Sequence, residues 1–161
     1  DGGQRTMNLW TVLQDFFWSG VVAVGFAVLF NVPRKTLIAC FVCGACGHAL
    51  RTLLMQLGVS IAPATLAGAA TVGLMSDLFA RRLETPSLVF GICGAVPMVP
   101  GSFAYRAMLG VIRLATTAPA STEPILMETA VNFVNTGLIL AALALGITMP
   151  MLLFRRPKPV V

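Results

Sequence analysis

The sequence predicts an all-α membrane protein of about five transmembrane helices, and three observations support this fold class. First, 57% of the 161 residues are apolar and only 11% are charged, whereas soluble domains carry about 25% charged residues. Second, the mean hydropathy is +0.88, and apolar runs close to the roughly 20 residues of a spanning helix recur along the chain. Third, the basic residues lie at the ends of these runs, which is typical of membrane insertion and not of a nucleic-acid-binding surface.

Three upright helices are predicted in the first half of the chain. They run from about Asn8 to Phe30, from Thr36 to Leu57, and from about Ile61 to Phe79. The stretch 31–33 ends the first helix with a proline, and the turn 58–60 separates the second helix from the third.

The fourth segment is predicted to be a broken helix. Apolar residues run over 86–99 and again over 102–117. Pro97 and Pro100, followed by a glycine, remove backbone donors and disfavour helix at the residues before them, so we expect a break at Pro97–Gly101. Together the two halves are too long for one upright span. The segment therefore either tilts and kinks across the membrane or lays one half along the interface.

The fifth helix and the loop charges set the predicted topology. This helix is predicted from Glu128 to Phe154, after a loop at 118–127. Basic residues follow the first, third and fifth helices, at Arg34 and Lys35, at Arg81 and Arg82, and at Arg155, Arg156 and Lys158. Because basic loops face the cytoplasm, these positions alternate consistently if the broken segment crosses once. The prediction is five spans, with the N-terminus outside and the C-terminus in the cytoplasm.

A single domain is predicted for most of the chain. The transmembrane helical domain covers 8–154, and a basic cytoplasmic tail follows at 155–161. Residues 1–7 form an N-terminal tail. Because 1–6 precede the first methionine, they are either an expression remnant or the end of a removed segment.

Two ionisable residues lie inside the second apolar run. His48 and Arg51 are three positions apart, so they share one face of the helix. Ionisable residues in a membrane are costly and indicate function by default, and an imidazole can take a proton near neutral pH. One interpretation is a proton-coupling or substrate residue at His48. The other is a histidine hydrogen-bonded between helices, with Arg51 extending to the outer interface.

The restarted half of the fourth segment has the features of an anion site. The unsatisfied N–H groups and positive dipole end of a helix that begins near Gly101 favour an anion. Ser102, Arg106 and Arg113 lie on one stripe of this helix, and Tyr105 adds a hydroxyl from its flank. Interrupted helices that direct a half-helix N-terminus at a carboxylate recur in transporters. The alternative is a proline-kinked helix whose arginines reach the lipid headgroups.

The cysteines are predicted to be packing residues. Cys40, Cys43 and Cys46 have a spacing that would suit an iron–sulfur site on a loop. On a helix, however, successive three-residue steps rotate them apart, so they cannot readily share an ion. No metal and no cofactor are predicted. Glycines such as Gly44 and Gly47 permit close helix approach. A substrate path through five short helices would be tight, so a partner subunit or a homo-oligomer is expected.

Several motifs resemble those of the threonine/serine exporter family. They are Phe30–Pro33, Gly47–Arg51, Val96–Arg106 and Val131–Phe133, of which the proline–glycine break followed by Tyr105 is the most specific. From about residue 9 to residue 156, the chain resembles the small subunit of the split, two-component form, similar to the small component of a bacterial succinate exporter. The residue at Arg106 matches the amino-acid exporters of the family, which leaves the substrate open.

The resemblance implies export of succinate, threonine or serine, or a similar small carboxylate or zwitterion, across the bacterial inner membrane. It also implies a proton gradient as the driving force and a larger membrane subunit as the partner. The substrate carboxylate is expected near Gly101 and Ser102, held by Tyr105 and Arg106. Asn132 and Asn135 are expected to line the path.

A second class of function is a non-transporting assembly or regulatory subunit that stabilises a partner transporter. In that class, the broken helix would only be a kink at the interface with the partner. An enzyme is not predicted, because the sequence has no nucleophile–base pair, carboxylate dyad or metal-ligand spacing.

Overall fold

The computed structural model describes residues 9–116 and 122–154, and its regular elements in this part of the chain are all helical. The α-helices are α1 (Leu9–Leu29), α2 (Leu37–Gln56), α3 (Ile61–Leu83), α4 (Ser87–Ala95), α5 (Gly101–Thr116) and α6 (Thr122–Phe154). Two short 3-10 helices, Arg34–Thr36 and Val96–Met98, precede α2 and follow α4. The predicted all-α class is confirmed. The predicted tails at 1–7 and 155–161 lie outside the described residues.

The helices agree with the predicted number of spans. By length and composition, α1, α2, α3 and α6 are each able to cross a membrane. The α4 segment, extended by its 3-10 turn, and α5 form a pair bent by 58°, and this pair makes a fifth span if it crosses once.

The predicted break in the fourth segment is confirmed. After the 3-10 turn, Val99 adopts an extended backbone with φ −61° and ψ 131°, as expected for a residue before proline. The N–H of Gly101 donates to the carbonyl of Val99 at 2.8 Å, and α5 begins at this glycine. The proline pair therefore ends one helix and sets the direction of the next.

Two helix boundaries differ from the prediction. The third helix continues past Phe79 to Leu83, and α6 begins at Thr122 instead of Glu128. The predicted loop at 118–127 is therefore helical from 122 onward. Pro124 lies in the first turn of α6, where its missing N–H has no intrahelical role. Glu123 in the same turn is favoured by the helix dipole.

The helices pack through small residues into one bundle. Along the bundle, α1 packs on α2, α2 on α3, and α3 on α6, while α4 contacts α1, α2 and α3. A Cβ atom added at Gly44 would lie 2.6 Å from the Cβ of Ala23 on α1. One added at Gly73 would lie 2.6 Å from the carbonyl oxygen of Ile147 on α6. These approaches require glycine.

Helix α5 lies at the edge of this bundle. It packs chiefly against the first half of α6, whereas the second half of α6 packs against α3. At the start of α5, Phe103 contacts an apolar cluster that includes Val72, Met98 and Ile139. The arrangement leaves much of the α5 surface exposed.

The cysteines lie in the apolar core. Cys40, Cys43 and Cys93 are buried in a cluster with Ala27 and Phe90, as predicted for packing residues. Among the described residues, no group of three or more His, Cys, Asp or Glu side chains is arranged to hold a metal ion.

Candidate functional site

The polar residues of α1 and α2 line a shared cavity of about 390 Å³. Its lining residues are Thr11 and Asp15 from α1, and His48, Arg51, Thr52, Met55 and Gln56 from α2. Asp15, His48, Arg51 and Thr52 are all half-buried. Because lipid cannot solvate such groups, they indicate a functional site.

The close approach of α1 to α2 brings these side chains together. Ser19 and Ala23 are buried on the face of α1 that meets Gly44 of α2. Asp15 lies one helical turn before Ser19 on this face, and His48 lies one turn after Gly44. The small residues thus allow the polar groups to meet at the same interface.

Thr52 connects the acid to the histidine. Its hydroxyl donates a hydrogen bond of 2.7 Å to Oδ2 of Asp15. The hydroxyl oxygen of Thr52 also lies 3.5 Å from Nδ1 of His48, a distance at the weak limit for a hydrogen bond. The Nδ1 atom is 3.9 Å from Oδ2 of Asp15, which is within ion-pair range when the imidazole carries a proton. Asp15 and His48 therefore form a proton-dependent pair.

Arg51 connects this cavity to the broken helix. Its Nη1 atom donates a hydrogen bond of 3.1 Å to the carbonyl oxygen of Met98, in the 3-10 turn at the break. The absence of a side chain at Gly68 on α3 makes room for this contact, because a Cβ there would lie 3.3 Å from that of Arg51. The two predicted features, the ionisable face of α2 and the break, are therefore joined.

The cavity also contains an acceptor without a partner. The Oε1 atom of Gln56 is buried and accepts no hydrogen bond from the described residues. Since buried polar groups are nearly always hydrogen-bonded, this atom is an exception among the described residues.

The residues predicted to bind the substrate lie elsewhere. Gly101, Ser102, Tyr105 and Arg106 are all exposed on α5, and Tyr105 is 65% exposed. None of these four lines the cavity between α1 and α2.

A second, smaller groove lies between α5 and α6. Its volume is about 200 Å³, and its charged lining residues are Arg106, Arg113 and Glu128. Asn132 is buried and donates from Nδ2 to the carbonyl of Glu128 at 2.9 Å, while Asn135 is half-buried. The structure thus brings the two predicted arginines together with an acidic residue of α6.

Sequence reasoning missed Asp15 and Thr52. The signal for Asp15 was available, because it is the one acidic residue between positions 9 and 29. Asp77 also lies in an apolar run, but it pairs with Arg81 at 2.8 Å, four positions along α3. The signal for Thr52 was its position four residues after His48.

Comparison with known proteins relates the chain to a transporter family and to a longer bacterial protein. A family model described as "Threonine/Serine exporter, ThrE" matches residues 15–153. An uncharacterized protein of Haemophilus influenzae is 33% identical over 156 residues, which cover 97% of this chain and 52% of the relative. The chain thus spans about half the length of that relative. No solved structure matches the chain.

Proposed function

Since the chain belongs to the threonine/serine exporter family, we propose that it is one subunit of a proton-driven exporter of small carboxylates or hydroxy-amino acids. The family and the apolar helices identify it as a multi-pass membrane protein of exporter type. Family membership agrees with the prediction that the chain is not an enzyme. The substrate class, the driving force and a larger partner subunit are parts of the proposal.

The observation that carries the proposal is the bond from Arg51 to the carbonyl of Met98. It connects a cavity lined by ionisable groups to an interrupted membrane helix. Buried ionisable clusters mark ion pathways in membrane proteins, and interrupted helices form substrate sites in secondary transporters. The contact between these two features supports a link between an ion site and a substrate site in this chain.

The exposed face of α5 supports a site that is completed by a partner. Ser102, Tyr105, Arg106 and Arg113 are exposed on this helix, although arginines facing lipid are costly. A second subunit that covers this face would enclose these groups around a carboxylate. The relative of nearly twice the aligned length is consistent with such a second half.

The charge distribution supports an orientation in a bacterial inner membrane. Arg34 and Lys35 precede α2, and Arg81 and Arg82 end α3. If these residues face the cytoplasm, the N-terminus is outside. The bent α4–α5 pair then returns the chain to the outside before α6.

A non-transporting assembly subunit is the second candidate function. The exposure of Tyr105 and Arg106 supports this function as much as it supports the exporter function, because an exposed polar face can bind a partner without contacting a substrate. The two candidates differ in what loss of Arg106 does to transport.

Efflux measurements separate the two candidates. Cells that express the chain with a large subunit of the same family are preloaded with labelled succinate, threonine or serine, and cells with the large subunit alone are the reference. The exporter proposal predicts faster efflux of one solute only when both subunits are present. It further predicts that Arg106→Ala abolishes this efflux at unchanged membrane levels of both subunits. If the large subunit alone transports as fast, per molecule in the membrane, as it does together with this chain, then the chain acts in assembly and not in transport.

A further inference from the structure

We propose that Asp15 and His48 together form the site at which this chain binds the coupling proton. The proposal rests on the proposed export function and extends it, because Asp15 becomes the acidic member of the site. The ligand is a proton, held between an imidazole and a carboxylate that approach each other from two different helices.

The geometry presents the carboxylate to the imidazole. The hydroxyl of Thr52 holds Oδ2 of Asp15 at 2.7 Å, and the same Oδ2 is the atom 3.9 Å from Nδ1 of His48. A proton on the imidazole produces an ion pair across this gap, and loss of the proton removes the attraction. The pair therefore has two states that differ by one proton.

Arg51 is the charged neighbour of the Asp15–His48 pair, since it attracts the carboxylate and opposes the charged imidazole. The charged and titratable side chains that line this cavity in the described part of the chain are Asp15 from α1, and His48 and Arg51 from α2. Neither α3 nor α4, which also pack on α2, contributes one to the lining. Arg51 directs its Nη1 atom to the Met98 carbonyl, and the ion-pair contact that the structure gives for Asp15, at 3.9 Å, is with His48.

The site is accessible and central. The side chains of His48 and Asp15 are 21% and 35% exposed, so they can exchange a proton with the cavity. His48 lies eleven residues into α2, which spans Leu37–Gln56, or about 16 Å along the helix axis. This depth is near the middle of the helix, and coupling-ion sites of secondary transporters typically lie near the middle of the membrane.

A proton at this site can influence the broken helix. Protonation of His48 draws α1 and α2 together through Asp15. Arg51 is three positions from His48 on the same face of α2 and bonds to the break at Met98. A small displacement of α2 is therefore transmitted to the carbonyl at the interruption.

The chain contains a single histidine, which makes a direct test practical. The full chain is labelled with ¹⁵N-histidine, purified through a tag without histidine, and studied by NMR in lipid nanodiscs. We expect the His48 signal to change with pH as the imidazole gains and loses its proton. In Asp15→Asn the midpoint should move to lower pH by about one unit, a tenfold loss of proton affinity, because the stabilising carboxylate is gone.

The matched control is Asp77→Asn, which removes a carboxylate that pairs with Arg81 on α3 and is not in the cavity. Its titration should match that of the wild type. If Asp15→Asn does not assemble, the wild type labelled with ¹³C-aspartate replaces it. A dipolar contact between the imidazole nitrogen and an aspartate carboxyl carbon should then strengthen at low pH. An unshifted midpoint in Asp15→Asn, or no such contact, would overturn the proposal.

Efflux at several external pH values separates this proposal from the exporter function. Absence of efflux with wild-type subunits would refute the exporter function and leave the NMR result to decide whether the pair binds a proton. Efflux with the same pH profile in wild type and Asp15→Asn would refute the coupling site and leave the exporter function intact.

Discussion

The guanidinium of Arg51 donates a hydrogen bond of 3.1 Å to the carbonyl oxygen of Met98, which lies 47 positions later in the chain. The bond joins the ionisable face of α2 to the interruption after α4. A carbonyl at a helix break lacks the regular intrahelical partner, so a charged donor from a neighbouring helix stabilises the broken conformation.

Loss of this bond should destabilise the fold. In Arg51→Met the Met98 carbonyl loses its charged donor, and we expect the free energy of unfolding to fall by about 1–3 kcal/mol. Arg51→Lys should recover part of this loss. Thermal unfolding in detergent measures the effect, with Arg82→Met at the exposed end of α3 as the control. Equal stability of the two methionine variants would contradict the structural role of the bond.

Straightening the break should impair export. In a variant with Pro97→Ala and Pro100→Ala, helical hydrogen bonds can form through the interruption, so the 58° bend should decrease. Arg51 would then lose its acceptor. We expect efflux to fall about tenfold, equivalent to about 1.4 kcal/mol, at unchanged membrane levels. Full efflux from this variant would show that the break is not needed for transport.

The contact between α5 and α6 should depend on Gly110. A Cβ at this position would lie 2.9 Å from the Cβ of Thr129, and overpacking of this kind costs about 1–3 kcal/mol. Gly110→Val should therefore reduce the monodisperse fraction in fluorescence-detected size-exclusion chromatography. Gly137→Val is the matched control, because a Cβ there has no neighbour within 4 Å. A similar loss in both variants would argue against close α5–α6 packing.

The proposed orientation can be tested with a membrane-impermeant maleimide. Ser60 precedes α3 and Pro86 precedes α4, and both are exposed at opposite ends of α3. We expect Ser60→Cys to be labelled in intact spheroplasts and Pro86→Cys only after permeabilisation. The wild type gives the background labelling of the native cysteines, of which Cys40, Cys43 and Cys93 are buried and Cys46 is half-buried. The reverse pattern would place the N-terminus in the cytoplasm.

The features that could be predicted from the sequence are those that depend on residues close together in the chain. Apolar length located α1 to α3, and the prolines located the break, because both act on neighbouring residues. The spacing of His48 and Arg51 identified one face of α2. The start of α6 was placed too late because the apolar run begins after its first turn, where Pro124 is tolerated.

The pairing of Asp15 could not be predicted in the same way. Its hydrogen-bond partner, Thr52, is 37 positions away on another helix, so no local spacing connects them. The proximity depends on how closely Ser19 and Ala23 allow α1 to approach Gly44. The hydrogen bond from Arg51 to Met98 could not be predicted for the same reason, because it requires α2 to pack beside the break.

The length of α6 makes the protein sensitive to the thickness of its bilayer. Its apolar stretch, Glu123–Pro150, has 28 residues, or about 42 Å of helix, against a hydrocarbon layer of about 30 Å. Such a helix must tilt, or the lipid around it must thicken. One half of α6 packs against α5, and the other half packs against α3. Lipids with longer acyl chains would therefore alter the tilt of α6 and, with it, the angle between α5 and the rest of the bundle.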